Sequence, residues 1–127
     1  MFADLPLQPR LPASDLARAK AWYHDKLGLE PASEDPAGMW YQTGGQWFLV
    51  FVTPNAGTAR NTAAAWTVPD LLATMSTLRQ RGVAFEDVDM GGDFKTVNGL
   101  MEIGPVKVAW FRDSEGNTFE LSQVPAR

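Results

Sequence analysis

Apolar residues recur at helical spacing twice along the chain. Leu16, Ala19, Tyr23 and Leu27 share one face of a predicted helix that opens at Ser14-Asp15 and closes at Gly28. A short polar side chain at the start accepts from backbone N–H groups the first turn leaves unpaired, and a terminal glycine permits the left-handed exit. Leu71, Leu72, Met75 and Leu78 repeat the pattern in a second helix, which takes Pro69 in its first turn and ends at Gly82 after Arg79 and Arg81. β-type runs follow each helix. After the first come Glu30–Ser33, Met39–Thr43 and Gln46–Thr53, with Gly44-Gly45 as a two-residue hairpin turn. After the second come Val83–Val88, Val106–Arg112 and Thr118–Ser122, with Ser114-Glu115-Gly116-Asn117 as the last turn. Ala63–Val68 leads into the second helix, and a strand within Leu5–Leu11 is expected to lead into the first. Pro6, Pro9 and Pro12 each remove a ladder donor, so that strand should be short, irregular or at an edge.

The two halves share one plan. Ala13-Ser14-Asp15-Leu16 aligns with Val68-Pro69-Asp70-Leu71 at an offset of 55 residues, and Gly28 with Gly82 at 54. Each half therefore reads β-α-β-β-β, an internal repeat. A single α+β domain over residues 1–127 is expected, with module one at about 4–55 and module two at about 62–124. The stretch Gly91–Gly104 lacks a clear period and reads either as a disordered excursion or as a lid.

Composition narrows the chemistry. A chain of 127 residues removes roughly two-thirds of its unfolded surface from water and holds a core without staples. The net charge is −4 and the basic residues are scattered, which argues against a nucleic-acid surface. The absence of cysteine excludes disulfides, thiol nucleophiles and thiolate metal sites. No apolar run nears the ~20 residues that cross a bilayer. The start Met1-Phe2-Ala3-Asp4 lacks the layout of an export signal, so a cytoplasmic location is expected.

Three stretches carry a resemblance. They are Ser14-Asp15-Leu16 through Trp22-Tyr23 to Leu27-Gly28-Leu29, Val68-Pro69-Asp70-Leu71 through Leu78 to Arg81-Gly82-Val83, and the closing Phe111-Arg112-Asp113-Ser114-Glu115-Gly116-Asn117-Thr118-Phe119-Glu120-Leu121. Together they resemble the vicinal oxygen chelate superfamily, which contains glyoxalase I, extradiol dioxygenases, fosfomycin-modifying enzymes and bleomycin-resistance proteins. The resemblance spans nearly the whole chain. It implies two tandem βαβββ modules forming a cup of mixed sheet with helices outside, often as a homodimer.

Members that do chemistry hold a metal at four strand positions. Carried over by that resemblance, the first position is Gln8, seven residues before Asp15, and the last is Glu120. Ala63, seven residues before Asp70, stands where the family commonly has His. Phe51 stands at the fourth-strand position, with Leu49 or Val50 there if the register slips. Two of the four ligands are thus missing. His24 is the only histidine, so a two-histidine iron site cannot form within one chain. One carboxylate and one neutral amide make a poor cage for a divalent ion, and no metal or other cofactor is expected.

Strand alternation assigns the cup face. It places Gln8 and Arg10 on the first strand, Trp47, Leu49, Phe51 and Thr53 on the fourth, and Ala63 and Ala65 on the fifth. Val108 and Trp110 follow on the seventh and Glu120 on the eighth. An apolar concave wall with a few convergent polar groups is the usual character of a small-molecule site. Trp47 and Trp110 can sandwich a flat ligand or serve as ordinary core. Arg10 and Glu120 can pair across the cup, or Glu120 can face a cationic or hydroxylated ligand. His24, beside Asp25 and Lys26, reads as solvated. Three readings remain open: metal-free sequestration of an aromatic or cationic compound at a cleft shared by two subunits; a lyase, isomerase or related enzyme; or a cup filled by its own side chains in a domain that acts through its outer surface. The enzyme would use Glu120 as general base, or a metal held partly by Gln8 and Glu120.

Overall fold

The computed structural model describes residues 1–125. Asp15 and Asp70 each cap a helix by accepting from the backbone N–H three residues on, that of Arg18 at 3.0 Å and that of Ala73 at 3.1 Å. The first helix, α1 (Leu16–Trp22), runs on through one π turn at Tyr23–Leu27 and ends at Gly28, whose φ of 67° is left-handed. The second, α2 (Leu71–Gln80), begins after Asp70. Pro69 therefore stands before the cap and not in the first turn, because the aspartate takes the capping position.

Eight strands form: β1 (Arg10–Ala13), β2 (Ser33–Asp35), β3 (Gly38–Thr43), β4 (Gln46–Val52), β5 (Thr62–Thr67), β6 (Met101–Ile103), β7 (Val106–Arg112) and β8 (Thr118–Gln123). They make two four-stranded sheets in the orders β1-β4-β3-β2 and β5-β8-β7-β6. β1 runs parallel to β4 and β5 to β8, while the remaining pairs are antiparallel. The repeat read from the sequence is thus realised in three dimensions. No described helix is long and apolar enough to cross a membrane.

Three strands differ from expectation. β1 lies two to five residues later than Leu5–Leu11, at a sheet edge where the prolines lose no ladder bond; the Pro9 carbonyl still accepts from the Leu49 N–H at 3.1 Å. β2 begins where Glu30–Ser33 was expected to end, because Pro31 has no N–H and the first bond to β3 is Ala32 N–H to Trp40 O. Val83–Val88 is no strand. It keeps one bridge, Phe85 to Phe111, with the Glu86 N–H donating to the Trp110 carbonyl at 2.8 Å. Side chains take over from the ladder beyond that point: the Val88 N–H donates to Thr96 Oγ1, while Asp87 Oδ1 accepts from Thr96 Oγ1 and from the Gly99 N–H. The rest of that edge of β7 is filled by β6, from the end of the 91–104 excursion. The excursion is ordered, folding back through Asn98-Gly99 at φ 52° and 80° to bridge Val97 and Leu100.

One core serves both modules. Leu11, Met39, Tyr41, Phe48 and Val50 of the first sheet join Ala109, Phe111, Phe119 and Leu121 of the second around Tyr23, Leu71, Met75 and Leu78 of the helical segments. The Tyr23 ring lies 5.3 Å from Tyr41 and 6.3 Å from Phe119, so it touches both sheets. Its hydroxyl donates to Asp113 Oδ2 at 2.6 Å. Burial, with Asp113 beside it, pushes the Tyr23 phenol well up. Burial also pushes Tyr41 up to about 12, with Glu34 and Glu30 adding to the effect.

The turn Asp113–Asn117 holds the modules together. Expected to be only a turn, it buries Asp113, Glu115 and Asn117. Glu115 accepts from the N–H groups of Ser14 and Asp15 and pairs with Arg18 at 2.8 Å, while Asn117 Nδ2 donates to the Pro12 carbonyl.

Candidate ligand site

Glu120 of β8 and Trp110 of β7 are cross-strand partners, on the face opposite Phe119 and Phe111. Strand alternation sends the apolar neighbours into the core and leaves these two outside it. They line a cavity of about 330 Å³ with Arg60, Thr62, Glu86, Val88, Met90, Arg112 and Thr118. Glu86 is already paired, holding Arg112 Nε at 2.9 Å. No salt bridge or hydrogen bond engages the Glu120 carboxylate among the described residues. The cavity thus offers one indole face, the Glu120 carboxylate and the guanidinium of Arg60, neither of the last two with an ion-pair partner among the described residues.

The other sequence-derived residues lie elsewhere. Trp47 lines a separate cavity of about 240 Å³ with Leu7, Pro9, Ala65 and Trp66, and the two cavities share no wall residue. The Trp47–Trp110 sandwich is therefore not made within one chain. Arg10 stacks over the Trp40 ring, its guanidinium carbon 4.9 Å from the centroid, and does not pair with Glu120. Arg10 and Trp40 both stand opposite Leu49 in the ladders, and Phe51 stands two residues further along the same face of β4. That face is apolar and only half covered. Gln8 sits half-buried ahead of β1, and Ala63 is exposed at a bulge in β5, so neither joins the Glu120 cavity. Val108 is buried between Met101 and Ser122 of the neighbouring strands and does not line the cavity.

Sequence reasoning missed Thr62, Arg112 and Thr118 on the strands, and Arg60, Glu86, Val88 and Met90 beyond them. The last four lie outside regular strands; Glu86 and Val88 fell within the expected strand Val83–Val88, to which no cup face was assigned, and Met90 runs into Gly91-Gly92. The four metal positions of the resemblance can now be tested on their donors. Phe51 and Ala63 have none, Gln8 stands apart from Glu120, and among the described residues no three His, Asp or Glu side chains come close enough to hold an ion. These residues do not fit a divalent cation.

A family model described as the Glyoxalase/Bleomycin resistance protein/Dioxygenase superfamily matches residues 6–121. No curated protein matches the sequence at a significant level. Among solved structures, the chain is similar to a lactoylglutathione lyase from Agrobacterium tumefaciens, with TM-score 0.71 and 18% identity over 94% of this chain and 93% of that one. It is similar to a bleomycin-binding protein complexed with bleomycin, with TM-score 0.68 and 19% identity over 95% and 99% of the two chains. It is also similar to TnmS3, an antibiotic-binding protein from Streptomyces sp. CB03234, with TM-score 0.69 and 20% identity over 96% and 98%.

Proposed function

We propose that this chain, which belongs to the glyoxalase/bleomycin resistance protein/dioxygenase superfamily, is a metal-independent binding protein for a small aromatic, cationic compound. The observation that carries the reading is the Glu120 carboxylate, without a partner and set beside the Trp110 ring in a concave cavity. A carboxylate partly withdrawn from water is stabilised by an incoming cation. A flat ring on the indole adds about 1 kcal/mol beyond burial. The donor set without a metal cage, and the structural likeness to a bleomycin-binding protein and to an antibiotic-binding protein, support binding without turnover.

The cavity of one chain is open on one side. The half-covered face of Trp40, Leu49 and Phe51 is the complementary wall, and a second copy supplies it in a homodimeric cleft shared by two subunits. Trp47, at the N-terminal end of β4, then approaches the rim of that cleft.

The likeness to a lactoylglutathione lyase favours a second reading, an enzyme with Glu120 as general base or with a metal shared between Glu120 and Gln8. The separation of Gln8 from the Glu120 cavity weighs against the metal-sharing form. Titration of the purified chain with the planar cation proflavine, followed by tryptophan fluorescence and by mass spectrometry of the recovered dye, tests the proposal. Saturable, chelator-insensitive binding is expected, weakened about tenfold by Glu120→Gln, which corresponds to about 1.4 kcal/mol. Binding indifferent to Glu120→Gln overturns it, as does a chelator-sensitive complex or a chemically altered dye.

A further inference from the structure

A different cavity lies on the helical side of the molecule. It has about 320 Å³ and is walled by Leu27, Leu29, Leu78, Thr77, Arg81 and Trp66. Trp66 and Thr43 also line the 240 Å³ cavity that holds Trp47, so these two residues separate the two spaces. These two residues are joined by a hydrogen bond from Trp66 Nε1–H to Thr43 Oγ1, at 3.3 Å. That is longer than the usual 2.9–3.0 Å of an N–H···O bond. Each space alone is near or below the lower end, roughly 300 Å³, of small-molecule sites. Joined, they pass it comfortably.

The mouth of the larger space carries positive charge. Arg81 Nη1 donates to the Lys26 carbonyl at 2.9 Å and Lys26 Nζ donates to the Arg81 carbonyl, so each cation rests on a neutral acceptor. Neither forms an ion pair among the described residues. In a chain of net charge −4, two adjacent cations that make no ion pair among the described residues, beside an apolar space, favour an anionic head with an apolar body.

We infer that the trench between the modules is a second ligand site, for an elongated apolar carboxylate whose head meets Arg81 and Lys26 and whose body lies along Trp66. The site is independent of the Trp110–Glu120 cavity, with which it shares no residue. Trp66 acts as its gate: release of the Thr43 bond lets the body reach past the indole towards Trp47.

Decanoate and decanol serve as probes on the ¹⁵N-labelled full chain, read through the indole N–H signals of its five tryptophans. Trp66→Phe assigns the Trp66 signal. Decanoate is expected to move that signal saturably. Arg81→Gln and Lys26→Gln should each weaken the response about fivefold. Thr77→Phe, an exposed helix position on the wall, should abolish it, and decanol should bind more weakly than decanoate. A Trp66 signal unmoved up to the solubility limit overturns the proposal. So does binding indifferent to Thr77→Phe, equal affinity for decanol, or a response confined to the Trp110 signal, which would put the probe in the outer cavity.

Discussion

A carboxylate as buried as Glu115 persists as an anion only when donors surround it. Arg18, Ser114 and the N–H groups of Ser14 and Asp15 do so here. Burial alone would raise its pKa, but the bonds from Arg18, the Asp15 N–H and Ser114 outweigh that and hold it at about 2 against an ordinary 4.5. The folded value lies below the unfolded one. The stability Glu115 contributes is therefore full above about pH 4.5 and is lost as the pH falls towards 2. Thermal unfolding followed against pH should show this loss in the native chain and a flatter profile in Glu115→Gln. That variant should also be less stable at pH 7 by about 2 to 3 kcal/mol, since the bonds it keeps are no longer charge-assisted. An unchanged pH profile in Glu115→Gln would remove Glu115 from this role. Glu120, on the strand that follows and of the same chemistry, has no such donors among the described residues, and under the proposed function an external cation takes their place.

Among the elements, those with a strong local signal were legible. The two helices, both hairpins and the strand Val106–Arg112 follow from periodicity, the Ser14-Asp15 start of the first helix and the turn glycines, whereas the Asp70 cap of the second came only with the structure. β1 and β2 shifted because proline decides where a ladder starts, and a pattern of apolar positions does not record donors. Val83–Val88 failed as a strand because Asp87 and Thr96 draw its backbone into side-chain bonds, and those partners are far apart in any periodicity count. The site divides in the same way. Trp110 and Glu120 were placed by strand parity, whereas Arg60, Glu86, Val88 and Met90 come from loops whose course depends on such contacts. The Asn98-Gly99 turn shapes the excursion that begins just after Met90, whose N–H donates to the Phe94 carbonyl. Gly99 has φ 80°, and a Cβ there would lie 2.7 Å from Cβ of Phe85. Gly99→Ala should therefore cost about 1 to 3 kcal/mol in urea unfolding and weaken proflavine binding as the loop shifts. A stability within error of the native chain would contradict that account.

At the scale of the whole molecule, the proposed homodimer rests on one sheet face. Trp40, Leu49 and Phe51 leave an apolar surface only half covered, and such surfaces mark contacts between proteins. Sedimentation equilibrium is expected to give a species of twice 14.0 kDa. Trp40→Glu should shift it to the monomer and lower proflavine affinity together, while circular dichroism stays native. A native chain that remains monomeric at high concentration would remove the shared cleft. The junction inside each chain has a consequence of another kind. The buried polar contact between the halves is built from one turn only: Asp113–Asn117 closes the second copy and reaches back to Tyr23, Ser14 and Pro12, whereas Gly44-Gly45 closes the first and has no side chain to offer. A hypothetical chain of two first halves would lack the acid that receives the tyrosine, and one of two second halves would lack the tyrosine. The two halves thus divide this contact between them, and neither carries both of its parts.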